Sequence, residues 1–104
     1  MKQILYINRK NEEQEKIKIV RSIAMLTKAR ILPEPEDIET LPTDAELLVF
    51  SGFTSGELNQ FISLLHKRGV KIPLKCVETA QNKKWSLRKL YDELSKEHEQ
   101  LNKG

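Results

Sequence analysis

Three short polar stretches hold the side chains of this sequence that could do chemistry. Asn8 and Arg9 follow one apolar run, Ser51, Gly52 and Phe53 follow a second, and Thr79, Asn82, Lys83 and Lys84 follow a third. Lys75, Trp85 and Arg88 flank the last of these. Hydrogen-bonding side chains, a glycine that lets a ligand approach the backbone, an aromatic ring and several cations suit the holding of a small anion or an amide.

Covalent chemistry has no comparable set. "FSGF" at Phe50 to Phe53 lacks the leading glycine of a G-x-S-x-G nucleophile elbow. Cys76 sits inside an apolar run with nothing local to lower its thiol pKa, so it reads as a small packing residue. His66 and His98 stand alone on helical patterns, without a cysteine or carboxylate at zinc-ligand spacing. No catalytic residue, metal site or cofactor is expected, and the residues favour binding over catalysis.

The elements between these stretches must position them. "KQILYIN", Lys2 to Asn8, and "LLVF", Leu47 to Phe50, are continuous apolar runs, the pattern of strands covered on both faces. A helix is predicted from Glu12 to Lys28, opened by the capping-box spacing of Asn11 and Gln14 and striped by Val20, Ile23, Ala24 and Thr27. "KIKIV" alone also alternates like a strand; length and the capping signal favour the helix. Arg30 to Leu32 reads as a brief second strand ended by Pro33 and Pro35, with one helical turn near Glu36 to Glu39.

Thr54 and Glu57 form a second capping box for a helix from Ser55 to Arg68, with Gly69 at its C-terminal cap. Val70 to Glu78 is the last strand, and Pro73 and Lys75 place it at a sheet edge. Ser86 caps a final helix, with Trp85 and Leu90 as a hydrophobic staple and Leu87, Tyr91, Leu94 and Leu101 along its buried face. The whole is one α/β domain, 1–104. It is a small open, mostly parallel four-stranded sheet flanked by three helices, β-α-β-β-α-β-α, with predicted order 2-1-3-4.

With 104 residues, 38% hydrophobic and 32% charged, the chain can bury one core behind a solvated surface. Its longest apolar runs are far too short to span a bilayer, so no membrane partner is expected. One cysteine and no leader pattern fit a cytoplasmic protein. The net charge of +3 is spread among many acids, which makes nucleic acid the weaker partner and a small anionic ligand or a protein segment the stronger.

"FSGF", "IPLK" at Ile72 to Lys75, and T-x-x-N-x-x-W at Thr79, Asn82 and Trp85 resemble a small prokaryotic family, domain of unknown function 3783, over residues 48–94. The resemblance implies that Ser51, Gly52, Lys75, Thr79, Asn82 and Trp85 belong to a shared pattern for folding or binding, with no established activity or partner. In that family the lysine is commonly followed by alanine, where this chain has Cys76, and the first helix often closes on glycine, where it offers Ala29 or Arg30. The expected function is a binding or regulatory module holding a small anion or a partner segment at the carboxyl ends of the strands. The alternative is a structural protein, a homodimer with no small-molecule site.

Overall fold

The chain's structure, a computed structural model, describes residues 1–10 and 13–102, with side chains to residue 99. The elements are β1 (Gln3–Asn8), α1 (Gln14–Leu26), β2 (Arg30–Ile31), β3 (Glu46–Ser51), α2 (Ser55–Lys67), β4 (Leu74–Val77) and α3 (Leu87–Asn102). Two 3-10 turns, Glu36–Thr40 and Asn82–Lys84, precede β3 and α3. The Asn11 capping position, Glu12 and the Leu101 side chain lie outside the described residues.

The sheet order is β2-β1-β3-β4, as the sequence predicts. Pairing is parallel for β1 with β2 (Ile4 opposite Ile31) and for β3 with β4 (Leu47 opposite Leu74). Between β1 and β3 it is antiparallel, from Gln3 opposite Ser51 to Asn8 opposite Glu46. The connection from β2 explains the reversal. A parallel return needs a crossover long enough to run back along the sheet, normally a helix. Residues 32–45 supply only a 3-10 turn, so β3 begins at the end where β2 stops, with the Arg9 amide bonded to the Ala45 carbonyl at 2.9 Å.

Covering both faces is what makes the central strands apolar throughout. Ile4, Leu48 and Phe50 pack under α1 and α2 with Val20, Ile23, Phe61 and Leu65. Ile7, Leu47 and Val49 pack under α3 with Leu87, Leu90 and Leu94. Each large apolar side chain so buried contributes about 1.5–3 kcal/mol.

The helix ends have local causes. Thr54 and Glu57 make the reciprocal capping box at the start of α2. At its close, Gly69 takes φ +70°, its amide bonds His66 O and the Val70 amide bonds Leu65 O, a Schellman closure. The same closure ends α1, with the Lys28 amide on Met25 O and the Ala29 amide on Ala24 O. Its left-handed residue is Lys28, at φ 60°, rather than Ala29 or Arg30. β4 is shorter than the predicted Val70 to Glu78, because Val70 and Ile72 turn into the core and Pro73 has no ladder donor. It is an edge strand, as Pro73 and Lys75 imply.

Candidate functional site

The antiparallel seam divides the three loops that the sequence groups together. Asn8 ends β1 opposite Glu46, at the start of β3, whereas Ser51 ends β3 at the far side of the sheet. Asn8 therefore does not join the Ser51 and Asn82 loops. Its side-chain amide donates to the Tyr6 hydroxyl (3.0 Å) and to Glu13 Oε1 (3.1 Å), and its Oδ1 accepts the Lys10 amide. Arg9 beside it reaches the Leu41 carbonyl.

Ser51, Gly52 and Phe53 do lie near the loop after β4. Ser51 Oγ donates to Glu78 Oε1 at 3.2 Å, and the Glu78 amide donates to the Phe50 carbonyl at 2.7 Å. Gly52 is left-handed at φ +75°, and a Cβ there would run into the Met1 carbonyl. Phe53 stacks edge-on to Phe50 and Phe61, at 5.2 and 5.9 Å between ring centres.

Thr79 and Asn82 bind each other. The Thr79 amide donates to Asn82 Oδ1 (2.7 Å), the Asn82 amide donates to Thr79 Oγ1 (3.0 Å), and Asn82 Nδ2 donates to Val77 O (3.1 Å). The T-x-x-N pattern is thus a reciprocal pair of bonds that closes the turn leading into the 3-10 segment, and Asn82 is committed to it. Lys83 and Lys84 on that turn are both exposed. Trp85 packs in the α3-side core with Leu90, closing the staple, and Lys89 Nζ stands 5.1 Å over its ring. Arg88 ties α3 to the first 3-10 turn through Thr40 O (2.7 Å) and pairs with Asp92.

An anion at the start of α3 would have to displace one already there. The Leu87 amide donates to Asp37 Oδ2 at 3.2 Å, a carboxylate placed where the helix favours negative charge. The adjoining cleft, about 270 Å³, is lined by both Asp37 and Glu78 against the single cation Lys83. Two carboxylates in so small a space oppose an anionic ligand.

The opposite end of β4 has the reverse character. A groove of about 570 Å³ runs between the close of α2, the segment Val70–Pro73 and the C-terminal half of α3. Its floor is Ile62, Leu65, Val70, Ile72 and Pro73; its polar lining is His66, Lys71, Lys75 and His98, with no carboxylate among the described residues. Each group has its own reason to be there. The Schellman turn at Gly69 reverses the chain so that Lys71 and Ile72 follow His66 closely, and strand alternation turns Lys75 away from buried Leu74. Lys75 Nζ donates to Ile72 O at 2.6 Å, leaving two of its three donors for a ligand.

A family model described as Domain of unknown function (DUF3783) matches residues 46–101, more than half of the chain. The chain belongs to this family. No curated protein and no solved structure matches it. The DUF3783 segment holds β3, α2, β4 and α3, and every residue lining the cationic groove falls within it. Of the shared pattern, Ser51, Gly52, Thr79, Asn82 and Trp85 are engaged in turns, caps and packing; Lys75 opens onto the groove. The grouping of His66, Lys71 and His98 is not legible in the sequence, because the two histidines stand on helices that cover opposite faces of the sheet and meet only around the edge at β4.

A second polar cluster lies at the seam, on the α1 side. The Glu46 side chain is 1% exposed, accepts from the Tyr6 hydroxyl at 2.7 Å and pairs with Lys16 Nζ at 2.9 Å. Lys10 stands 3.8 Å away, and Glu13 pairs with both lysines. Burial first, then the bond to Glu46, holds the Tyr6 phenol well above its ordinary range. The bond from Asn8, ahead of the nearby lysines, lowers Glu13. These groups satisfy one another and make a buried tie between β1, α1 and β3. Cys76 is half-buried, its thiol pushed up to about 11 by burial first and then by Glu97 and Glu78, so it is a protonated packing residue at neutral pH.

Proposed function

We propose that the protein is a binding module that holds a small amphipathic anion, a carboxylate or phosphate on an apolar body, in the groove between α2, α3 and the start of β4. One observation carries this reading: two lysines and two histidines ring an apolar floor, and no acid among the described residues lines it. The apolar body lies on Ile62, Leu65 and Ile72, and the anionic group meets Lys71 and Lys75, with the His66 imidazole as a further hydrogen-bond partner. The volume is within the range of about 300–1,000 Å³ typical of ligand sites. The negative end of α2 is no obstacle, since the Schellman bonds already engage its last carbonyls.

Amide NMR titration with alkyl and aryl carboxylates and phosphate monoesters tests the proposal. Shifts should concentrate at His66, Val70, Lys71 and Lys75, and the double variant Lys71→Glu, Lys75→Glu should abolish them while its melting curve stays cooperative. Shifts confined to Lys83, Lys84 and the start of α3, or none across the panel, would sink the reading.

A further inference from the structure

We infer that the surface from the exposed side of α1 to β2, away from the groove and independent of it, docks on an anionic lipid bilayer. The eighteen residues Lys16 to Pro33 contain five cations and no acid; the remaining 13 cations and 15 acids sum to −2, so this segment carries more than the whole net charge of +3. Lys16 is spent inside on Glu46. Lys18, three residues from Glu15, Arg21, Lys28 and Arg30 are all exposed, and the last three make no ion pair with another described residue.

Among those cations stand three of the five large apolar side chains that the fold leaves outside among the described residues. Met25 is 78% and Leu26 72% exposed, at the last turn of α1, and Ile31 is exposed on β2. Lys18, Arg21, Ser22 and Met25 share one helix face by their spacing. The left-handed turn at Lys28 then brings Arg30 back beside the chain start, its amide on Lys2 O at 2.9 Å, one residue from an exposed Met1.

Charge and shape together select the occupant. A second copy would set the same cations against each other across a two-fold axis. Nucleic acid would satisfy the cations but leave Met25 and Leu26 against phosphate, and the stretch has no aromatic on which a base could stack. A bilayer supplies anionic headgroups at the height of Arg21, Lys28 and Arg30 and hydrocarbon beneath them for the apolar tips. Neither Met25 nor Leu26 lines either of the two clefts described above, and both side chains project into solvent. The short apolar runs exclude a span, which an interfacial contact does not need.

Cosedimentation of the full chain with vesicles of phosphatidylserine and phosphatidylcholine in roughly equal parts tests this. Binding should fall as salt rises, and pure phosphatidylcholine vesicles should leave the protein in solution. Lys28→Gln with Arg30→Gln should weaken partition roughly twenty-five-fold, from about fivefold per cation. Met25→Ser with Leu26→Ser should weaken it further at high salt, with unchanged circular dichroism in both variants. Absence of binding to the anionic vesicles, equal binding by the parent and both variants, or association with polyglutamate or an oligonucleotide in place of vesicles would overturn the inference.

Discussion

Gly52 is the residue in the loop after β3 that a substitution disturbs most directly. Its φ of +75° disfavours any side chain, and the Met1 carbonyl occupies the space a Cβ would take. Gly52→Ala should lower stability by about 2 kcal/mol or more, read from urea unfolding, because relief requires moving the start of β1. Cys76 gives a pH signature of known sign. Its thiol is pushed up to about 11 in the fold, so the native chain keeps a proton that the unfolded chain releases from pH about 9. Stability should therefore be unaffected below pH 9 and fall between about 9 and 11. Tyr6 acts with the same sign from about pH 10 upward; Cys76→Ala should remove the earlier part of the decline and leave the later. At this scale the sequence revealed which residues matter more readily than why. Thr79 and Asn82 stand at a cap spacing on the page, yet which oxygen each amide meets depends on a 3-10 turn too short to leave a periodic pattern.

Helix ends carry the clearest test at the level of elements. Lys28 holds the left-handed position that closes α1, where glycine would sit without strain. Lys28→Gly should raise stability by about 0.5–1 kcal/mol, visible as a higher melting temperature, even as it removes a surface cation. Strand and helix identities were legible because β1, β3 and the stripes of α1, α2 and α3 are long enough for apolar spacing to declare itself. Strand direction was not written there, since an apolar run reads alike either way. The signal lay in what residues 32–45 lack: prolines and one short turn, with no helix to return the chain for parallel pairing. The same omission groups Asn8 with loops that lie at the other end of the sheet.

Across the whole molecule, the Glu46 cluster joins three elements that no single helix or strand unites. Lys16 holds a carboxylate that is almost wholly enclosed, at 2.9 Å. Lys16→Met should cost about 3 kcal/mol at neutral pH in denaturant unfolding, as it leaves that charge with only the Tyr6 hydroxyl and the more distant Lys10. The double change Lys16→Met, Glu46→Leu should recover much of the loss, since apolar replacement of an enclosed pair is often neutral.

The six-residue seam between β1 and β3 bears on the DUF3783 segment itself. Cut away from the first 45 residues of the chain, that segment would keep its pairing with β4 but present Leu47 to Phe50 as an apolar edge strand, with the amides and carbonyls that face β1 unpaired. Such an edge recruits whatever strand it meets, including its own twin. The β1-α1-β2 unit is in this sense a chaperone built into the same chain: it occupies the position at which two DUF3783 segments would otherwise zip together.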